Sequence, residues 1–225
     1  RSKDTVGRFF DALGERADDL AFVTADGATW ITEVVAERAP DAIVCLDTFH
    51  VIGWATKALD EVRREEWNRL RQAGSAKAAK EFKGLRFLLR RNWENLTGAQ
   101  KGVIRDLTRA NSRTFRAWTL KEELRDIFAL PLLKAQHALD EWLAYASRSK
   151  LAPFVKLART IRRYRPSIEA TIEWGFTNGI AESNNASIGR IRANARGFHD
   201  PEAFITMIML DRAGIAPALP WNHAA

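Results

Sequence analysis

The sequence predicts a predominantly helical α/β protein in which a large all-α insertion interrupts a small sheet-bearing segment. Two compact apolar runs, "LAFVTADG" at 20–27 and "AIVCLD" at 42–47, read as buried strands that each close on an aspartate. A helix-periodic stretch follows each run, and the order strand, helix, strand, helix implies a parallel sheet with covering helices. From about residue 72 to residue 174 strand-like runs vanish and apolar residues recur at spacings of three and four.

Element by element, "DTVGRFFDALG" at 4–14 is a short amphipathic helix closed by Gly14. The Asp26-Gly27 pair marks a turn after the first strand. In "TWITEVVAERAP", Ile31, Val34, Val35 and Arg38 stand at helical spacing and Pro40 is the stop. After Asp47 a long amphipathic helix begins near Phe49 and runs through "VIGWATKALDEVRREEWNRLR". Within the insertion the apolar sets are Leu85, Leu88, Leu89; Val103, Ile104, Leu107; Leu124, Ile127, Phe128; and Leu139, Leu143. Thr97 in "LTGAQK" reads as a helix cap, and Pro131 and Pro153 as helix starts. Trp54, Trp67, Trp93, Trp118, Trp142 and Trp174 are expected to be core anchors rather than base-stacking platforms. The organisation is therefore an α/β segment over 1–71, the helical insertion over 72–174, returning helices over 175–214, and a frayed Pro/Ala-rich tail over 215–225.

The 225 residues carry 35 Lys+Arg against 28 Asp+Glu, a formal charge of +7. That surplus suits a polyanionic partner, nucleic acid above all, or simply a solvated basic surface. A single cysteine, Cys45, excludes an intrachain disulfide and fits a reducing cytoplasm. One Cys and four His argue against a structural zinc site. No apolar run is long enough to span a bilayer, so no membrane partner is expected.

Asp26 and Asp47 terminate two adjacent parallel strands, the edge where open α/β sheets gather ligands. Either could bind metal there, or merely cap the helix that follows. A third acid, Glu182, stands alone in "NGIAESNNASIGRIRANARGF" at 178–198. On a helical wheel Glu182, Asn185, Gly189, Arg192 and Arg196 share an arc of about 80°. Ile180, Ile188, Ile191 and Ala195 lie opposite. A carboxylate heading such a face could hold a cation while the arginines hold phosphates. Phosphodiester cleavage and transfer wants that combination, because two Mg²⁺ ions activate the attacking oxygen and stabilise the leaving one. Arg190, Arg192 and Arg196, the "RRN" at 90–92, Arg162 and Arg163, and Arg165 are further candidate DNA contacts.

At these residues the sequence resembles the bacterial ISL3-type insertion-sequence transposases. The resemblance is carried by the stretch from "VTADG" to "WNRLR", with its "DTFHV", by "KGLRFLLRRNWENLT" at 83–97, and by the "NGIAESNN" block. It runs from Gly7 to Gly214. The family is a DDE group whose catalytic domain resembles RNase H, with an all-helical insertion before the last acid. The resemblance implies that Asp26 is the second catalytic acid and Glu182 the final one, together holding Mg²⁺ or Mn²⁺. It aligns Asp47 and His50 with the family's D-x-F-H block, in support of the site or of DNA; a half-buried structural role for His50 is the alternative. The first acid, on the first strand of an RNase H-like domain, has no counterpart, since Asp4 sits on a helix. A partial RNase H-like core lacking its N-terminal strands, with little activity alone and an association-prone sheet edge, is therefore expected. The implied partners are transposon-end and target DNA and further copies of the chain, in a bacterial, nucleoid-associated, cytoplasmic setting. The rival expectation is a non-catalytic DNA-binding or regulatory remnant of a transposase; a third is a helical interaction domain with no nucleic-acid role.

Overall fold

The computed structural model describes residues 2–109 and 112–213, so the tail expected at 215–225 lies outside the described residues. In chain order they form α1 (Lys3–Leu13), β1 (Phe22–Ala25), α2 (Thr29–Arg38), β2 (Ile43–Leu46) and α3 (Thr48–Gln72). There follow α4 (Ala76–Arg90), α5 (Gly98–Arg109), α6 (Arg113–Ile127), α7 (Leu132–Arg148), α8 (Ala152–Arg163) and α9 (Arg165–Trp174), then α10 (Gly179–Asn194) and α11 (Pro201–Arg212). Among these residues the chain is predominantly helical with one two-stranded parallel sheet, pairing Phe22 with Ile43 through Ala25 with Leu46. The expected helix–strand order is borne out, and so is the parallel sense.

Local chemistry sets the boundaries. Ser2 caps α1 by accepting the Thr5 N–H, and Gly14 ends it. Thr97 and Gln100 form a reciprocal capping box: the Gln100 N–H donates to Thr97 Oγ1 at 3.3 Å and the Thr97 N–H to Gln100 Oε1 at 3.0 Å. Pro131 and Pro153 open α7 and α8 as expected. Ser112 caps α6 at 3.0 Å.

The chain divides after Thr177 into two compact units. In the first, α3 is the axis. Its buried face (Val51, Ala55, Leu59, Val62) packs among Leu120 and Leu124 of α6, Leu139 and Trp142 of α7, and Phe154 and Ile161 of α8. That core reaches the sheet through Leu46. A second cluster, Phe10, Val34, Val35 and Ala39 with Val23 and Val44 against it, ties α1 and α2 to the strands. Cys45 is fully buried in β2, where burial raises its thiol pKa and keeps it protonated. Trp118 and Trp142 are core anchors, the latter donating to Leu120 O at 2.8 Å. Trp93 and Trp174 depart from that expectation, being 36% and 49% exposed.

In the second unit α10 and α11 pack against each other, the Phe198 and Phe204 rings meet at a 41° tilt with centroids 4.8 Å apart, and Asp200 caps α11. No helix among the described residues is long and apolar enough to cross a membrane.

Candidate active site

Asp26 and Asp47 are brought to the same edge. The last ladder pair is Ala25 with Leu46, and the Asp47 N–H donates to Ala25 O at 2.9 Å. Each aspartate is thus the first residue beyond its strand, side by side at the carboxyl ends, where ligands gather in sheets of this kind.

Their surroundings differ. Asp26 is half-buried, and one oxygen accepts the Ala28 N–H at 3.3 Å. Its carboxylate makes no ion pair among the described residues. Asp47 is only 4% exposed, and both its oxygens are engaged. Oδ1 accepts the Phe49 N–H at 3.4 Å, capping α3, and Oδ2 lies 2.9 Å from His50 Nδ1. A carboxylate can only accept, so Nδ1 donates, and that bond fixes the orientation of the His50 ring. Capping and orientation of His50 therefore describe Asp47 better than metal ligation.

The turn bearing Asp26 is held from two directions. Gly27 has φ +76°, and a Cβ there would stand 2.6 Å from Trp54 Cζ2, so only glycine fits. The Trp54 ring packs on Tyr164 at 5.6 Å, and the Tyr164 hydroxyl donates to Gly27 O at 2.8 Å. Burial raises the Tyr164 pKa, with the Asp26 charge adding to the rise, so the phenol stays a donor. At the last residue of the neighbouring strand the same device recurs: Thr171 Oγ1 donates to Leu46 O at 2.7 Å. Composition and periodicity gave no signal for Trp54, Tyr164 or Thr171 as positioning groups; the Asp-Gly turn was the one visible clue. Tyr164→Phe leaves the Gly27 carbonyl unpaired and is expected to lower stability by about 1 kcal/mol. A thermal melt that matches the wild type would contradict this.

Glu182 lies in the first turn of α10, exposed, with no side-chain partner among the described residues. The helix N-terminus favours its charge. Asn185, Gly189 and Arg192 follow on its face, as expected, and are exposed. Arg190 donates to Ser187 Oγ at 2.8 Å. Arg196 departs from the wheel: α10 ends at Asn194, and Arg196 takes φ 54° in the turn before Gly197. Its place on the Glu182 face was an extrapolation past the helix end. Arg162 and Arg163 are exposed in the last turn of α8, the former 3.5 Å from Ser147 Oγ. Arg165 is committed internally instead, to Asp140 and, at 2.6 Å, to Glu169, which hold its guanidinium firmly protonated. Those two acids remove it from the DNA-contact set.

Asp26 and Glu182 belong to different units. Among the described residues no three His, Cys, Asp or Glu side chains converge as a metal-holding group.

The sequence profile of the ISL3-type transposases, described as "Transposase", matches residues 1–208. The chain belongs to this transposase family. It is 40% identical to the transposase for insertion sequence element IS1557 of Mycobacterium tuberculosis (strains CDC 1551 and H37Rv), over 98% of this chain and 54% of the relative. It is 29% identical to the transposase for insertion sequence element IS1001 of Bordetella parapertussis, over 92% of this chain and 52% of the relative. The chain thus spans about half the length of the curated relatives it matches. No solved structure matches significantly.

Proposed function

We propose that this ISL3-family chain supplies two of the carboxylates, Asp26 and Glu182, of a metal-dependent DNA strand-cleaving and strand-transferring site in an RNase H-like catalytic domain. The observation that carries the reading is the pair of aspartates one step past adjacent parallel strands, braced by Trp54, Tyr164 and Thr171. Rigid bracing of a half-exposed acid is what an ion-binding edge needs.

The donor chemistry fits Mg²⁺ or Mn²⁺. Asp26 and Glu182 present carboxylate oxygens without competing ion pairs among the described residues, and hard divalent cations take oxygen ligands. Such ions, when bound, sharpen the attacking oxygen and stabilise the leaving one. The chain's own residues do the rest. Asp26 is held in place by its Ala28 bond and the Gly27 turn. Asp47 fixes the ring of His50, which stands beside the aspartate edge as a candidate phosphate contact. Asn185, Arg190, Arg192, Arg162 and Arg163 offer donors to the DNA backbone, and Arg196 does so from the turn after α10. With two acids of the set, the 225-residue chain alone has little strand-transfer activity; the complete reaction on transposon-end and target DNA, by an oligomer of the longer protein in the bacterial cytoplasm, is where these groups act.

The second reading, a non-catalytic DNA-binding or regulatory remnant, is favoured by one observation: among the described residues no three His, Cys, Asp or Glu side chains converge as a metal-holding group. Manganese titration of the 225-residue chain separates the two. Stoichiometric binding that Asp26→Asn and Glu182→Gln each weaken at least tenfold supports the catalytic reading. Binding indifferent to both changes sinks it, and efficient DNA nicking by the chain alone would overturn the expectation that two acids leave little activity.

A further inference from the structure

The helical block carries a groove that the proposed chemistry does not use. Helices α3 and α4 form an antiparallel hairpin, and a cleft of about 740 Å³ lies between the start of α3 and the end of α4. A second hollow of about 470 Å³ continues along the same seam, and Arg86 lines both. Of the cations that line this path, five stand apart from the ion-paired Arg63, Arg64 and Arg125: Lys57, Lys80, Lys83, Arg86 and Arg90. None of the five has a carboxylate partner among the described residues. The acid on the path, Asp60, is already engaged by Arg63 at 2.8 Å and by Arg64 at 3.4 Å. Arg125, at the cleft wall, is likewise held by Glu94, Glu122 and Asp126. The free charge is therefore concentrated along the seam, without internal neutralisation.

Three aromatic rings stand among these cations: Phe49 at 74% exposed, Phe87 at 71% exposed, and half-buried Trp67. An exposed phenyl ring is unfavourable in water, yet two are placed on one basic groove. The Arg86 guanidinium lies 5.8 Å from the Phe87 ring centre and that of Arg71 5.0 Å from the Trp67 ring. Cations interleaved with aromatic rings are the chemistry of single-stranded nucleic acid, where charges track the backbone and rings take unpaired bases. The groove also has a direction. Phe49 follows Asp47 by two residues, and its ring lies edge-on to His50 at 6.0 Å. One end therefore opens at the carboxyl edge of the sheet.

The geometry points to the α3–α4 groove as a track for single-stranded DNA leading to the aspartate edge, with Arg86 and Arg90 on phosphates and Phe49 and Phe87 under bases. This rests on the proposed action on DNA and deepens it: a strand freed at the edge has a surface to occupy.

Fluorescence anisotropy of the 225-residue chain with a labelled 20-nucleotide single strand and the matching duplex, from 50 to 200 mM KCl, tests it. Helical content by circular dichroism checks that each variant is folded. R86Q/R90Q is expected to weaken single-strand binding at least tenfold and to flatten the salt slope by about 1.4, two phosphates at about 0.7 each. F49A/F87A is expected to weaken single-strand binding at least fivefold with the slope unchanged and duplex binding within twofold. If F49A/F87A leaves single-strand affinity intact, the stacking track is wrong, including the case where R86Q/R90Q weakens single strand and duplex alike. If the wild type binds DNA and R86Q/R90Q changes nothing, the groove is wrong while the proposed action on DNA stands. If the wild type binds neither form, both readings fall together.

Discussion

Lys121→Met is expected to destabilise the first unit by about 3 kcal/mol, because it removes one partner of a buried ion pair. Lys121 is 1% exposed in α6. Its ammonium pairs with Glu122 and donates to Arg91 O at 3.2 Å and Leu89 O at 3.4 Å. Those carbonyls lie at the end of α4, where a helix leaves its last acceptors unsatisfied and gathers partial negative charge. Burial lowers the Lys121 pKa, opposed by its bond to Glu122, so the pair is held against desolvation. Methionine matches the stem but strands both carbonyls. Glu122 would keep the Trp93 N–H at 3.1 Å and Arg125 at 3.2 Å, which is why the loss is set at the low end for a broken buried pair. Urea unfolding reads the change as a lower midpoint at constant slope. A midpoint within error of the wild type would show that this lysine is not a clamp. Since α4 forms one wall of the basic groove, the variant should also loosen single-strand binding more than its charge alone explains.

The second large effect is on chemistry. In an active longer transposase that contains this segment, Glu182→Gln is expected to lower metal-dependent strand cleavage roughly 100-fold or more, since outer partners of ligands alone cost 10- to 100-fold. Asp47→Asn should fall within that outer-partner range, because Asp47 orients His50 and caps α3 rather than facing solvent. The amide keeps one acceptor oxygen, so the cap or the histidine contact survives, but not both as charged bonds. Equal losses from the two changes would instead assign Asp47 to the ion itself. A Glu182→Gln enzyme as active as its parent would remove the helix α10 acid from the mechanism.

Much of the fold was legible because its signals are local. The apolar runs at 22–25 and 43–46, the Asp-Gly turn, the Thr97 cap and the two prolines each act within a few residues. So was the placement of Asp26 and Asp47, which follows from strand order alone. The long-range links were not legible. Nothing near Tyr164 or Thr171 announces that their hydroxyls reach carbonyls in the sheet, and both residues would read equally well as ordinary helix positions. Arg165 reads as one more free charge in a basic run until the folded helix sets its i+4 acid, Glu169, beside it. Arg196 was misread because a wheel assumes that the helix continues. The basic groove escaped notice for a third reason: Lys57 and Arg86 are ordinary surface charges until the hairpin folds and sets them across one seam.

A two-stranded sheet is marginal by itself, and here the groups that pin its ends arrive late. Tyr164 follows Gly27 by 137 positions, and Thr171 follows Leu46 by 125. A ribosome adding about 5–20 residues per second needs on the order of ten seconds to close that interval. Throughout it the two aspartates have been translated but not fastened. Assembly order alone thus delays the pinned aspartate edge until most of the chain has been made.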